Sequence, residues 1–144
     1  MIILLDLNNT LVENSDEKRK PFAAQIAHER YRQWLVKLVA SYHTILMTAR
    51  PEKYKDHTMD SITRKTGWVP QEAYFNRYSK PPQTAKHIML EESVFPVHGE
   101  KPDQYIAIES NPRTKLMYET FGIPSVKVNE NEIWTTLPMP PTTA

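Results

Sequence analysis

The chain has 144 residues, 40% hydrophobic and 24% charged, with a net charge of +1 and no cysteine. That is the balance of one soluble domain around one core, and it excludes disulfides, thiolate metal sites and cysteine nucleophiles. Near-neutral charge gives no global drive toward nucleic acid or membrane, so such a partner needs a local patch.

Residues 2–6 read as a buried strand: five apolar residues end abruptly in Asp6. The charged run Glu13 to Lys20 reads as a loop closed by Pro21, followed by a helix from about Phe22 to Tyr42 in which Ile26, Trp34, Leu35, Leu38 and Val39 keep helical spacing, with Arg30 at the margin. His43 to Met47 is a second strand, ending at Thr48-Ala49-Arg50. Pro51 suits the first turn of a helix that runs to about Thr66, and Gly67 fits its end.

Ala73 to Phe75 forms a short third strand, followed by a loop, 76–82, rich in basic and aromatic residues. A helix from about Pro82 to Glu92 carries Lys86. Gln104 to Ile108 is the fourth strand, ending at Glu109-Ser110-Asn111. Pro112 opens a helix that closes at Phe121-Gly122, and Ser125 to Val128 is a fifth strand. Residues 1–135 form one domain on this reading, and 136–144, with Pro138, Pro140 and Pro141, form a frayed tail. No apolar run approaches a membrane span, and the opening run has no basic flank of the kind a signal peptide carries, so a cytoplasmic location is expected.

Strand–helix alternation predicts a single Rossmann-like α/β/α domain with a five-stranded parallel sheet. Asp6, Thr48 and Glu109 each follow a different strand, so all three fall on one edge of the sheet, where ligands bind in such folds. Two carboxylates, a hydroxyl and a cation from Arg50 or Lys86 suit a phosphate and a divalent metal.

The tract Asp6-Leu7-Asn8-Asn9-Thr10 resembles the D-x-D-x-T motif of haloacid dehalogenase-like phosphohydrolases, with Asn8 in place of the second aspartate. Thr48, Lys86 (Lys80 second) and Ile108-Glu109-Ser110-Asn111-Pro112-Arg113 follow in the family's order. From Thr48 onward, Thr-Ala-Arg-Pro, Tyr54, Ser61 to Lys65 and Phe121-Gly122-Ile123-Pro124 also resemble the phosphatase domain of phage-type polynucleotide kinase-phosphatases. The kinase half is missing, since no G-x-x-x-x-G-K-[ST] occurs. Neither gap between motifs has room for a cap domain.

The resemblance implies a magnesium-dependent phosphatase acting on 3′-phosphate ends of nucleic acid or on nucleotides, in phage or bacterial host cytosol. Asp6 is then the nucleophile, and Asn8 stands at the acid–base position while giving magnesium its backbone carbonyl. Thr48, Lys86 and Arg50 hold phosphate, with Arg19 or Lys20 a further basic contact. Glu109 supports the metal, and Ser110 takes an acidic position without a charge. Asn9, Arg77 and Lys80 join the substrate-binding set; Tyr74, Phe75 and Tyr78 interleave with Arg77 and Lys80 as a strand-binding patch would.

An amide cannot move a proton, a function typically worth about 10²–10⁴-fold. Asn8 is therefore an introduced block, a native feature of a slow or binding-only relative, or a sign that Asp16 or Glu17 supplies the proton. The alternatives to the polynucleotide phosphatase are a small-molecule nucleotidase and a phosphate-binding pseudophosphatase. None of the five histidines shows metal-ligand spacing, and they read as structural or surface residues.

Overall fold

Alternation along the first strand decides the layering. In β1 (Ile2–Leu5), Ile3 and Leu5 join one hydrophobic cluster and Leu4 another, all without solvent exposure. A strand apolar on both sides needs cover on both faces. The computed structural model, which describes residues 1–138, supplies that cover.

The helices are α1 (Phe22–His28), α2 (Gln33–Val39), α3 (Lys55–Thr66), α4 (Pro82–Met89), α5 (Phe95–His98) and α6 (Pro112–Thr120). The remaining strands are β2 (His43–Pro51), β3 (Glu72–Asn76), β4 (Tyr105–Ile108) and β5 (Ser125–Val126). One sheet face packs Ile3, Leu5, Leu46 and Ile106 against Leu35 and Val39 of α2 and Ile62 of α3. The other packs Leu4, Ile45, Met47 and Ala107 against Ala85 and Met89 of α4, Phe95 of α5 and Tyr118 of α6. This is an α/β fold of three layers, Rossmann-like, with one sheet dividing its core. Among the described residues no helix is long and apolar enough to cross a membrane.

All five strands are parallel, in the order β3-β2-β1-β4-β5. The chain winds outward from β1 through β2 to β3, then returns to lay β4 on the other side of β1. The crevice between β1 and β4 is therefore the switch point, where open α/β sheets place ligands. Leu5 sits level with Leu46 and Ile108, which brings the residues just beyond these three positions to one rim.

The expected long helix 22–42 is two helices. Between them the chain runs extended: Tyr31 bridges to Val12, and the Arg32 N–H donates to the Leu11 carbonyl at 2.8 Å. Pairing with the segment after β1 replaces helical hydrogen bonds there, and Arg30 is exposed rather than packed. The second strand is longer than expected, continuing to Pro51 with a shift of register between Met47 and Pro51. A short turn, Glu52–Tyr54, therefore precedes α3. Past Met89 the helical path widens through Leu90–Val94 into α5, next to Pro96, whose missing N–H cannot complete a regular turn. At the chain end, Trp134 is buried beside Trp34, with ring centroids 5.5 Å apart, and Leu137 packs on the same cluster. The rest of the expected tail, 139–144, lies outside the described residues.

Candidate active site

The turn after β1 builds the surroundings of Asp6. Asn9 has φ 60, in the left-handed region that Asn tolerates better than most residues. That reversal sends Leu11 N–H back to the Asp6 carbonyl at 3.3 Å and Val12 N–H to that of Leu7 at 2.9 Å. Ser15 Oγ accepts the Asn9 N–H at 2.8 Å. The same turn swings Thr10 under Asp6, where its Oγ1 donates to Oδ2 at 2.9 Å.

Lys86 enters from α4 on the opposite sheet face. Its Nζ donates to Asp6 Oδ1 at 2.9 Å and to Glu109 Oε2 at 2.6 Å, and all three side chains are buried. Burial alone would lower the Lys86 ammonium, but the charges of Asp6 and Glu109 outweigh it and hold the group above its ordinary range. Burial pushes the Glu109 carboxyl up, against the pull of Lys86. Two carboxylates around one ammonium leave a net negative charge at the rim. A divalent cation or the positive flanks of the groove would balance it.

Both Glu109 oxygens already have hydrogen-bond partners. Oε2 takes Lys86, and Oε1 accepts the N–H groups of Ser110 and Asn111, both at 3.1 Å. Ser110 has the more direct position: its Oγ lies 3.1 Å from Asp6 Oδ2 and 3.2 Å from the Asn8 carbonyl. Neighbouring oxygens around an octahedral magnesium stand about 2.9 Å apart. The spacing and hard-oxygen chemistry of Asp6 Oδ2, Asn8 O and Ser110 Oγ thus fit such an ion.

Thr48 lies inside β2, within its register shift, rather than after the strand as expected; it is buried, and its Oγ1 accepts the Arg50 N–H at 3.1 Å, so its own proton remains to donate. Arg50 differs from expectation. Its guanidinium is buried and forks onto Glu29, with Nη2–Oε2 at 2.5 Å and Nη1–Oε1 at 3.1 Å. Nη1 also reaches Thr58 Oγ1 at 3.0 Å, and Nη2 reaches Asn8 Oδ1 at 3.1 Å. A planar fork meeting a carboxylate in a dry site is claimed by that carboxylate. Arg50 thus fixes the Asn8 side chain instead of lying free for a phosphate.

A cleft of about 300 Å³ opens from Asn8, lined by Ser15, Lys18, Arg19, Lys20, Phe22 and Gln25, with Glu29 and Arg50 at its floor. Arg19 and Lys20 are exposed there, and Phe22 stacks on Tyr54 with centroids 4.1 Å apart. The 76–82 loop contributes less than its composition suggests. Phe75 is buried in the core, Tyr74 donates to Glu72 Oε1 at 2.9 Å, and Arg77 lies over Tyr78 and pairs with Glu92 at 3.7 Å. The side-chain amide of Asn76 donates to the Lys80 carbonyl at 2.9 Å, closing the loop on itself. Glu17 is turned to His28 and Arg30, while Asp16 lines a second opening with Asn9, Ser110 and Asn111.

Sequence reasoning missed Glu29 and Thr10. Thr10 stands in the quoted motif, four residues after Asp6 on one tight turn, a spacing that could have found it. Glu29 carried no signal inside a stretch read as continuous helix.

No protein-family model matches the chain, and no curated protein matches it. Among solved structures, it is similar to a chain of the Pnkp1/Rnl/Hen1 RNA repair complex, with a TM-score of 0.65 and 17% identity over 89% of this chain and 42% of that one. A chain of a second structure, of the Pnkp1/Rnl/Hen1 complex, gives a TM-score of 0.66 and 15% identity over 92% and 47%. The chain spans less than half the length of these neighbours. At such identities what it shares with them is the fold.

Proposed function

We propose that this chain is built as a magnesium-dependent phosphomonoesterase of the haloacid dehalogenase-like type. It would act through an aspartyl phosphate on a 3′-phosphate end of nucleic acid, with Asn8 at the proton-transfer position. One observation carries the reading: Asp6, at the switch point, is held by Lys86, Thr10 and Ser110, with Glu109 fixing Lys86 from behind. An aspartate oxygen attacks phosphorus, the ester P–O bond breaks, and its electron pair leaves on the alkoxide. Water then attacks the acyl phosphate and releases inorganic phosphate, regenerating Asp6.

Lys86 stays charged throughout, because its two carboxylates hold its proton. It orients Asp6 and offsets charge without acting as an acid. Thr48 offers its hydroxyl to a phosphoryl oxygen. Asp6 Oδ2, the Asn8 carbonyl and Ser110 Oγ would hold magnesium, which when bound neutralises charge on the phosphoryl oxygens. Asn8 cannot protonate the alkoxide or deprotonate the water, so both halves of the reaction are slow. The open rim and the basic cleft beside Asn8 favour a chain end over a mononucleotide, and the RNA repair setting of the structural neighbours supports the same choice. A second reading, a phosphate-binding protein without turnover, is favoured by Asn8 itself, whose amide oxygen already satisfies Arg50.

The leaving group separates the two. From an aryl phosphate the phenolate leaves without needing a proton, so the chain should release a single equivalent of phenolate with magnesium and then stall as aspartyl phosphate. Asn8→Asp should restore turnover by about 10²–10⁴-fold, on 3′-phosphorylated oligonucleotides more than on mononucleotides. If the chain gives no burst and Asn8→Asp hydrolyses neither substrate, the phosphatase reading is lost and the binding reading stands.

A further inference from the structure

At the opposite edge of the sheet, three side chains outside the Asp6 site converge. His43 begins β2, Glu72 begins β3, and His98 ends α5. Both imidazole Nε2 atoms lie 2.6 Å from the same Glu72 oxygen, Oε2, and the three ligand-type atoms all fall within 4.8 Å of one another. The two rings face the carboxylate from different elements, with centroids 5.1 Å apart and planes tilted by 59°.

We propose that His43, Glu72 and His98 form a binding site for a divalent transition-metal ion, zinc above all. Two imidazoles and one carboxylate are a common zinc donor set, and tetrahedral bonds of about 2.0–2.1 Å space the ligand atoms about 3.3 Å apart. The two histidine–carboxylate distances reach that spacing if each histidine withdraws by about 0.7 Å. All three side chains are part-exposed, His43 most at 38%, so one face stays open for water as the fourth ligand.

The surroundings hold the ligands in place. Tyr74 donates to the other Glu72 oxygen and sets the carboxylate plane. The His98 and Gly99 carbonyls are pinned from the start of β4: Gln104 Nε2 donates to His98 O and Tyr105 OH to Gly99 O, both at 2.5 Å. Gly99, at φ 95, makes the turn that presents His98, a conformation L side chains rarely adopt. Such outer partners orient metal ligands. Bound there, the ion would clasp β2, β3 and α5 together, about 13 Å along the strands from Asp6. The proposal stands independently of the phosphatase reading.

The test is calorimetric titration of the untagged, chelator-stripped full chain with zinc chloride at neutral pH, in excess magnesium to occupy hard-oxygen sites. A single equivalent should bind at sub-micromolar affinity. It should persist in Asp6→Asn and in the triple variant His28→Asn/His57→Asn/His87→Asn, and weaken at least tenfold in His98→Asn and in Glu72→Gln. X-ray absorption of the zinc-loaded wild-type chain, which depends on no variant's folding, should show two imidazoles in the first shell. Absence of stoichiometric binding, equal binding in the His98 and Glu72 variants, or a first shell without two imidazoles would each overturn the site.

Discussion

Removing the Glu29 charge would leave the Arg50 guanidinium buried among Thr58, Asn8 and the Phe22 ring, whose centroid lies 4.9 Å from it. Breaking a buried, forked ion pair by removing one partner costs about 3–5 kcal/mol. Glu29→Gln should therefore lower stability by that order in urea denaturation, and it should loosen Asn8, which Arg50 positions. If Glu29→Gln unfolds like the parent, the fork contributes nothing to the fold. The convergence of Asp6 and Glu109 was legible in sequence because both follow apolar strands, and strand ends of a parallel sheet share one rim, where Lys86 meets them; Thr48 lies inside β2 instead. Glu29 meets Arg50 across 21 residues, through a helix break no glycine or proline announces, and the carboxylate that claims Arg50 could not be read. His43, Glu72 and His98 were illegible for a related reason: strand starts and a helix end bring them together, and their sequence spacing carries no pattern.

Among the elements, α3 shows how sequence punctuation and tertiary contact divide the work. Gly67 ends it in the left-handed region at φ 72, with nothing within 4 Å of an added Cβ. Gly67→Ala therefore meets only backbone strain and should cost about 1–2 kcal/mol in equilibrium unfolding, without moving neighbours. No loss of stability would mean that the turn has an alternative path. Lys65, in the last turn of α3, donates to the carbonyls of Ile26, Ala27 and Glu29, taking up the free carbonyl end of α1. That contact replaces helix continuity after His28. The residues Ser61 to Lys65, which carried part of the sequence resemblance, thus have structural work: Ser61 also accepts from Tyr31 OH at 3.0 Å. The extended run of β2 past Met47 was hidden because Pro51 is as much at home at a strand end as at a helix start.

Across the molecule, the two core layers set an alkaline limit. Burial raises the phenols of Tyr31, Tyr74, Tyr105 and Tyr118, and Tyr74, beside Glu72, is pushed up to about 12. Each is an acid whose neutral form the folded state prefers. The stability this contributes is complete below the ordinary phenol value of 10.0 and is lost as pH rises through the higher folded values. Near-ultraviolet titration should show these four of the seven tyrosines ionising late, together with loss of tertiary circular dichroism. Early ionisation of all seven with the fold intact would contradict the packing.

The position of β1 between β2 and β4 has a kinetic consequence. β1 is synthesised before β4, so one of its flanks stays unfilled until the chain has passed α5. Until then its inner edge and the aspartate beyond it are bare, and closing that long loop costs entropy before the pairing returns any gain. A nascent chain of this kind must shelter β1 while it waits for its later neighbour.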